Sequence, residues 1–338
     1  MKATLSSIAT AAGLLLATIG SAQAQTVFTT SSWVPPTHTL TTTQKAWCDL
    51  LEKESAGRMK CNQLPKAPTA APGTFDAVRD GLVDISFTVD GYTPGRFIST
   101  QVAEFPFLGD SAVSTSVAYQ RIYDKYFSQM EHKGVKVLAV FTHGPGIIFN
   151  SKKPVVSAAD AASLKFRIGG GNINELSKAM GWNTTLKPAP EAFELLSTGV
   201  MDGTFFPDES VAAFKLSMIK HATTFPGGLY NTSFVFMMNP AKYNALSAQD
   251  KAVIDKLSGE RAARLFGEGW DRVDAASRDG AQKSQGVQRV QADKAFVKAV
   301  ADKQDYLETK WAASAQVRGL KDPKKVLGEF RAEIAKVK

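Results

Sequence analysis

Short apolar runs rich in β-branched and aromatic residues recur along the chain, separated by stretches with apolar positions at helical spacing. Residues 26–32, 59–64, 83–89 and 135–142 read as strands. Between them, helices are predicted over about residues 42–56, from Phe75 to near Gly81, and over about 114–133. After Gly144-Pro145-Gly146, a natural crossing point, the pattern begins again. Residues 147–150, 164–168 and 184–187 read as strands, with helices from about 174 to 180 and from near Glu191. Such alternation predicts an α/β fold of mostly parallel sheets flanked by helices. The 338 residues exceed one ordinary core and predict two lobes. The expected division is residues 1–24 as a leader, 25–143 plus 232–272 as the first lobe, and 144–231 plus 273–338 as the second.

Toward the carboxyl end, Ser247-Ala248-Gln249-Asp250 has the form of a helix-capping box. Val253, Ile254, Leu257, Leu265, Phe266, Val273 and Ala276 follow at helical spacing. They predict one continuous helix of about 30 residues, about 45 Å long, backing both lobes and bending at Gly259, Gly267 and Gly269. The alternative is two helices broken near Gly267. Beyond residue 287 one more strand and further helices are expected, with Trp311 packing at the surface.

Composition and charge change the picture little. Lys2, the apolar run 11–19 and Ala22-Gln23-Ala24 read as a cleavable export leader and predict delivery to a bacterial periplasm. The run is shorter than the roughly 20 residues a bilayer-spanning helix needs. The net charge of +8 is scattered, and aromatic residues do not interleave with a basic cluster, so nucleic acid is set aside. The positive balance mildly favours anionic ligands.

Cys48 falls in the first helix and Cys61 in the strand that returns after Gly57. Helical and strand rise place each about 13 Å from that turn, so the two can face one another. In an oxidising compartment the pair reads as a structural disulfide, with two free buried thiols as the alternative. Neither cysteine stands at metal-ligand spacing from His38, His132, His143 or His221.

The chemically informative stretch is 160–210. Arg167 ends a short apolar strand, Gly169-Gly170-Gly171 follow, and the segment closes with Asp202-Gly203-Thr204-Phe205-Phe206-Pro207. Ligands of open α/β sheets sit beyond the carboxyl ends of the strands. A guanidinium there, beside glycines that admit a ligand to the backbone, suits a carboxylate; a surface Arg after a glycine turn is the alternative. No nucleophile elbow, Walker loop or metal motif accompanies it, and G-x-G-x-x-G spacing fails at Asn174. Asp208 reads as the N-cap of a helix over 211–220, and Asp202 as a turn former.

Asp160, Leu164, Lys165, Arg167, Glu191, Phe193, Leu196, Gly199, Val200, Asp202 and Gly203 follow a D-x-x-G-L-K-x-R … E-x-[YF]-x-x-L-x-x-G-V-x-D-G pattern, with Ser163 in place of its Gly. In this the chain resembles the DctP-type solute-binding proteins of tripartite ATP-independent periplasmic (TRAP) transporters. The likeness extends to residues 33–38, Gly57-Arg58, residues 81–85, residues 104–108 and Met238-Asn239. It implies a two-lobed periplasmic binding fold with hinge segments, in which Arg167 bridges to a ligand carboxylate between the lobes. It also implies delivery to an ion-gradient-driven membrane permease.

Where family members often carry Asn or Trp, this chain has Phe206, preceded by Phe205. Where sugar-acid binders carry a second Arg, it has Ile147. Both changes make the pocket more apolar and point to an aromatic or branched monocarboxylate, unless the Phe pair is core. Gly170, Trp33, Thr88 and Tyr92 complete the expected wall, with ordinary core packing as the alternative for the last three. No catalytic residue, cofactor or metal is expected, and the chain is expected to act as a monomer. Two rivals remain: a ligand receptor for a signalling partner, and a periplasmic enzyme on a small acid using Asp202 or Asp208 as base.

Overall fold

The computed structural model describes residues 25–337; the leader predicted for residues 1–24 lies outside them. Eleven strands are β1 Thr26–Thr30, β2 Met59–Gln63, β3 Ile85–Val89, β4 Lys136–Thr142, β5 Ile147–Asn150, β6 Lys165–Ile168, β7 Asn183–Leu186, β8 Gly203–Phe206, β9 His221–Thr224, β10 Ser233–Met238 and β11 Gln288–Gln291. They form two sheets, ordered β2-β1-β3-β10-β4 and β11-β9-β5-β8-β6-β7. Each sheet is mostly parallel but carries one reversed strand: β10 runs against β3 and β4, and β5 against β8 and β9. Those two strands follow the points where the chain passes between lobes, so it enters each sheet from the cleft side. β3 and β10 are buried at every position, as strands at the centre of a helix-covered sheet should be.

Cys48, on the helix Thr39–Glu54, is disulfide-bonded to Cys61 of β2 with Cα atoms 5.7 Å apart. The helix begins on an unpredicted cap, His38, whose Nδ1 accepts the backbone N–H of Leu40 at 3.1 Å.

The single long helix expected after Ser247 is two helices, Ala248–Leu257 and Glu260–Ala276. The break is at Gly259, not Gly267: its φ is +62° and its N–H donates to Leu138 O across the fold. Gly267 and Gly269 are not bends. A β-carbon at Gly267 would stand 2.6 Å from Val113 Cα, and one at Gly269 2.7 Å from Thr43 Oγ1, so both let this helix lie close on its neighbours. Glu260–Ala276 packs on the helices Thr39–Glu54 and Ala112–Ile122 of the first lobe. It then widens into a π-helical turn, Ser277–Gln282, that grips the second lobe. There Ser277 and Gln282 donate to the Asp208 carbonyl, and Arg278 and Arg289 pair with the Asp208 carboxylate at 3.0 and 2.6 Å. Asp208 is therefore not a helix cap, and the helix expected over 211–220 is one turn, Ser210–Ala213. The last helix, Pro323–Lys336, expected with the second lobe, packs on Ala112–Ile122 of the first.

Candidate functional site

A cavity lies between the lobes, at the carboxyl ends of β3, β6 and β8 and beside both crossing segments. Arg167 of β6 reaches into it from the second lobe, and Trp33, Val89 and Tyr92 from the first. Phe206, Phe214 and Tyr230 enclose the remainder with His143, Thr232, Phe234 and Trp270.

Arg167 is only 2% exposed, and among the described residues it is the one buried Lys or Arg. Its Nε donates to Lys187 O at 2.7 Å, which fixes the side chain along the sheet edge. Its Cζ lies 4.4 Å from the centre of the Phe206 ring, a cation–π contact. No carboxylate of the described residues pairs with it. Burial lowers its pKa, and the nearby hydroxyls of Tyr92 and Tyr230 partly offset that. An arginine nevertheless keeps its charge.

Tyr92 accepts the Ala189 N–H at 2.9 Å, so its own O–H proton is left to donate into the cavity. Burial raises the pKa values of Tyr92 and Tyr230 and keeps both protonated. Guanidinium and two phenols thus converge as donors on one end of the cavity. The rest is neutral. Burial pushes His143 down to about 4 and His38 to about 3. The 3.5 Å contact from His38 Nε2 to Glu209 therefore joins a neutral imidazole to a carboxyl group that burial pushes up to about 8, and is not an ion pair at neutral pH.

Strand alternation corrects two expected wall residues. Phe206 faces the cavity, whereas Phe205 turns into the second-lobe core with its ring 5.0 Å from Phe166 and 5.6 Å from Trp182. Thr88 points the opposite way from Val89, with its hydroxyl toward Ala71 O, so Val89 takes the expected place of Thr88. Gly170 is a lobe contact instead of a ligand contact; its neighbour Gly169 lines the cavity. A β-carbon on Gly91 of the first lobe would stand 2.8 Å from Gly171 N and 2.9 Å from Gly170 C. The lobes meet backbone to backbone.

Neither carboxylate that an enzyme would use is on the cavity: Asp208 is held by Arg278 and Arg289, and Asp202 accepts the Lys165 N–H at 2.9 Å. Among the described residues no three His, Cys, Asp or Glu side chains are grouped to hold a metal ion. The cavity residues not anticipated include His38, His143, Tyr230, Thr232, Ser210 and Trp270. Three of them sit on the crossing segments, whose turn residues were legible.

Two mixed sheets joined by crossing segments around a cationic, aromatic cleft define a two-lobed small-molecule binding protein. The chain belongs to the bacterial extracellular solute-binding proteins of family 7, the DctP family, which it matches over residues 30–313. It is similar to a TRAP periplasmic solute-binding protein from Bordetella bronchiseptica solved with (R)- and (S)-mandelate, at 44% identity and TM-score 0.88, covering 92% of this chain and 99% of that one. A marine-metagenome TRAP protein specific for aromatic acid ligands, solved with 3-hydroxybenzoate, matches at 35% identity and TM-score 0.86 over 93% of this chain and 99% of that one. A TRAP solute-binding protein from Rhodoferax ferrireducens, solved with copurified benzoate, matches at 30% identity and TM-score 0.86 over 92% and 98%. Among the described residues no helix is long and apolar enough to cross a membrane.

Proposed function

We propose that this protein captures a small aromatic monocarboxylate between its lobes and hands it to the membrane permease of a TRAP transporter. One observation carries the reading: the buried guanidinium of Arg167, paired with no carboxylate of the described residues, in an otherwise neutral, aromatic cavity. A buried cation without a counter-ion is strongly disfavoured, and a carboxylate fits the guanidinium fork. Tyr92 and Tyr230 add donors to the same oxygens. Phe206, Phe214 and Trp33 offer ring faces and edges to an aromatic body. Among the described residues the cavity has no second cation, which disfavours dicarboxylates. The mandelate, 3-hydroxybenzoate and benzoate bound by the three similar proteins support the same class. In this reading residues 1–24 carry the chain to the periplasm, where it works as a monomer and closes on its ligand by lobe rotation.

The test is a thermal-shift series with benzoate, mandelate, succinate and glucuronate. An aromatic acid at 100 times its dissociation constant should stabilise the protein by roughly 2.7 kcal/mol. Succinate or glucuronate matching the aromatic acids would overturn the reading.

A further inference from the structure

His143 and Thr232 sit on the two segments that join the lobes, and both line the cavity. His143 Nδ1 faces the carbonyl oxygen of Gly144, and Nε2 lies 2.9 Å from Thr232 Oγ1. A carbonyl can only accept, so Nδ1 carries the proton, and a neutral imidazole protonated there must accept at Nε2. The Asn231 amide, oriented to donate to Gly144 O at 2.9 Å and His143 O at 3.2 Å, holds the same turn. Thr232 therefore donates its only hydroxyl proton to His143. What it presents to the cavity is lone pairs, and among the described residues nothing else donates to them.

This acceptor is close to the cationic end. The His143 ring is 5.4 Å from the ring of Tyr230, and Tyr230 in turn stands beside Arg167. Ser210, also on the cavity, has no protein partner for its hydroxyl among the described residues, but its rotor can donate or accept and so does not discriminate.

We infer that the ligand is a hydroxy acid whose hydroxyl donates to Thr232 Oγ1 while its carboxylate meets Arg167. This deepens the aromatic-monocarboxylate reading and rests on it. An acid lacking the hydroxyl would bury the Thr232 acceptor unsatisfied, a penalty equivalent to about tenfold or more in affinity.

The experiment is calorimetric titration of two matched pairs, phenylacetate against mandelate and benzoate against 3-hydroxybenzoate. Wild type, Thr232→Val and Thr232→Ser are compared, with far-UV circular dichroism and melting curves to verify each fold. Wild type and Thr232→Ser should bind the hydroxy member of at least one pair about tenfold tighter than its parent. The preferred pair tells whether the hydroxyl is carried beside the carboxylate or on the ring. In Thr232→Val the preference should collapse to within about twofold, because the parent acid gains and the hydroxy acid loses. Both pairs binding wild type within threefold, or the preference persisting in Thr232→Val, overturns this inference and leaves the aromatic-acid reading standing. Failure of all four acids to bind overturns both.

Discussion

Glu104 of the first lobe accepts the backbone N–H of Asn172, which opens a second-lobe helix, at 2.8 Å. Its other oxygen accepts both the N–H and the hydroxyl of Ser233. One buried carboxyl group thus ties the start of β10 in the first lobe to the amino end of a helix in the second, and burial, outweighing these hydrogen bonds, raises its pKa to about 7. The bond to Asn172 exists only while the lobes are together. Glu104→Gln would turn an amide N–H toward a backbone N–H. It should weaken ligand binding by roughly tenfold, a loss of about 1.4 kcal/mol, although Glu104 does not line the cavity. Calorimetry giving equal affinities would show that this contact does not favour closure.

Gly91 tests closure from the opposite direction. Its φ lies outside the left-handed region, so alanine is tolerated there by the backbone. The added β-carbon would press on Gly170 and Gly171 of the other lobe. Gly91→Ala should leave the melting temperature of the unliganded protein within a degree or two and weaken binding by tenfold or more. A variant that binds like wild type would mean the lobes do not approach this closely with ligand present.

Arg167 carries the largest expected effect. Truncating one partner of a buried, hydrogen-bonded charge pair costs about 2–5 kcal/mol, so Arg167→Ala should weaken binding of the best acid by at least about thirtyfold. Arg167→Lys should also bind poorly, since an ammonium loses the planar fork and the stacking on Phe206. Exposed Arg272 is the control, and Arg272→Ala should bind as wild type does. Arg167→Ala within threefold of wild type would place the carboxylate elsewhere.

The Cys48–Cys61 bond closes a short loop at a sheet edge, and neither cysteine lines the cavity. In the chain-entropy account such a loop contributes about 3 kcal/mol. The double Cys→Ser variant should melt several degrees lower yet keep its affinity. An unchanged melting temperature would show that the bridge does not limit the unfolded chain.

Buried acids set the pH dependence. Burial, then the neighbouring Asp274 charge, pushes Glu209 up to about 8, and burial likewise pushes Asp274 to about 8. The Glu209 N–H donates to Asp274 Oδ1 at 2.7 Å, at the joint between the lobes. For an acid whose folded pKa is raised, the native state keeps a proton that the unfolded chain has released. Stability therefore falls as pH rises through that window. His38 and His143, held low, act the opposite way, removing stability as pH falls below about 6.5. Between pH 7 and 8.5 the histidines are neutral in both states, so the acids alone act and the melting temperature should drop. Glu209→Gln should flatten the decline. A wild-type melting temperature that is level or rising across that interval would count against the raised values.

How much of this was legible depended on which side of an element had to be chosen. The strand at 147–150 and the crossing near Gly144 followed from apolar runs and turn residues alone, and Arg167 from its place at a strand end. Alternation along β3 and β8 was visible too, but not its phase. Nothing local tells whether Thr88 or Val89, Phe205 or Phe206, faces the cleft, because both members of each pair are buried. The reversed strands β5 and β10 were hidden for a related reason: an apolar strand buried on both faces reads the same in either direction. The helix expected over 211–220 failed because Asp208, a good capping residue by type, is claimed by Arg278 and Arg289 from distant sequence.

The place of β10 bears on how the chain assembles. It is the last strand of its sheet to be made, yet it lies between β3 and β4 in the interior. As the chain emerges from its amino end, the first sheet stays divided until Met238 is out, by which time five of the six strands of the second sheet already exist. The amino-terminal lobe is therefore the one that has to wait, and a chain cut off before Ser233 would leave β3 and β4 as two open edges exposed to aggregation.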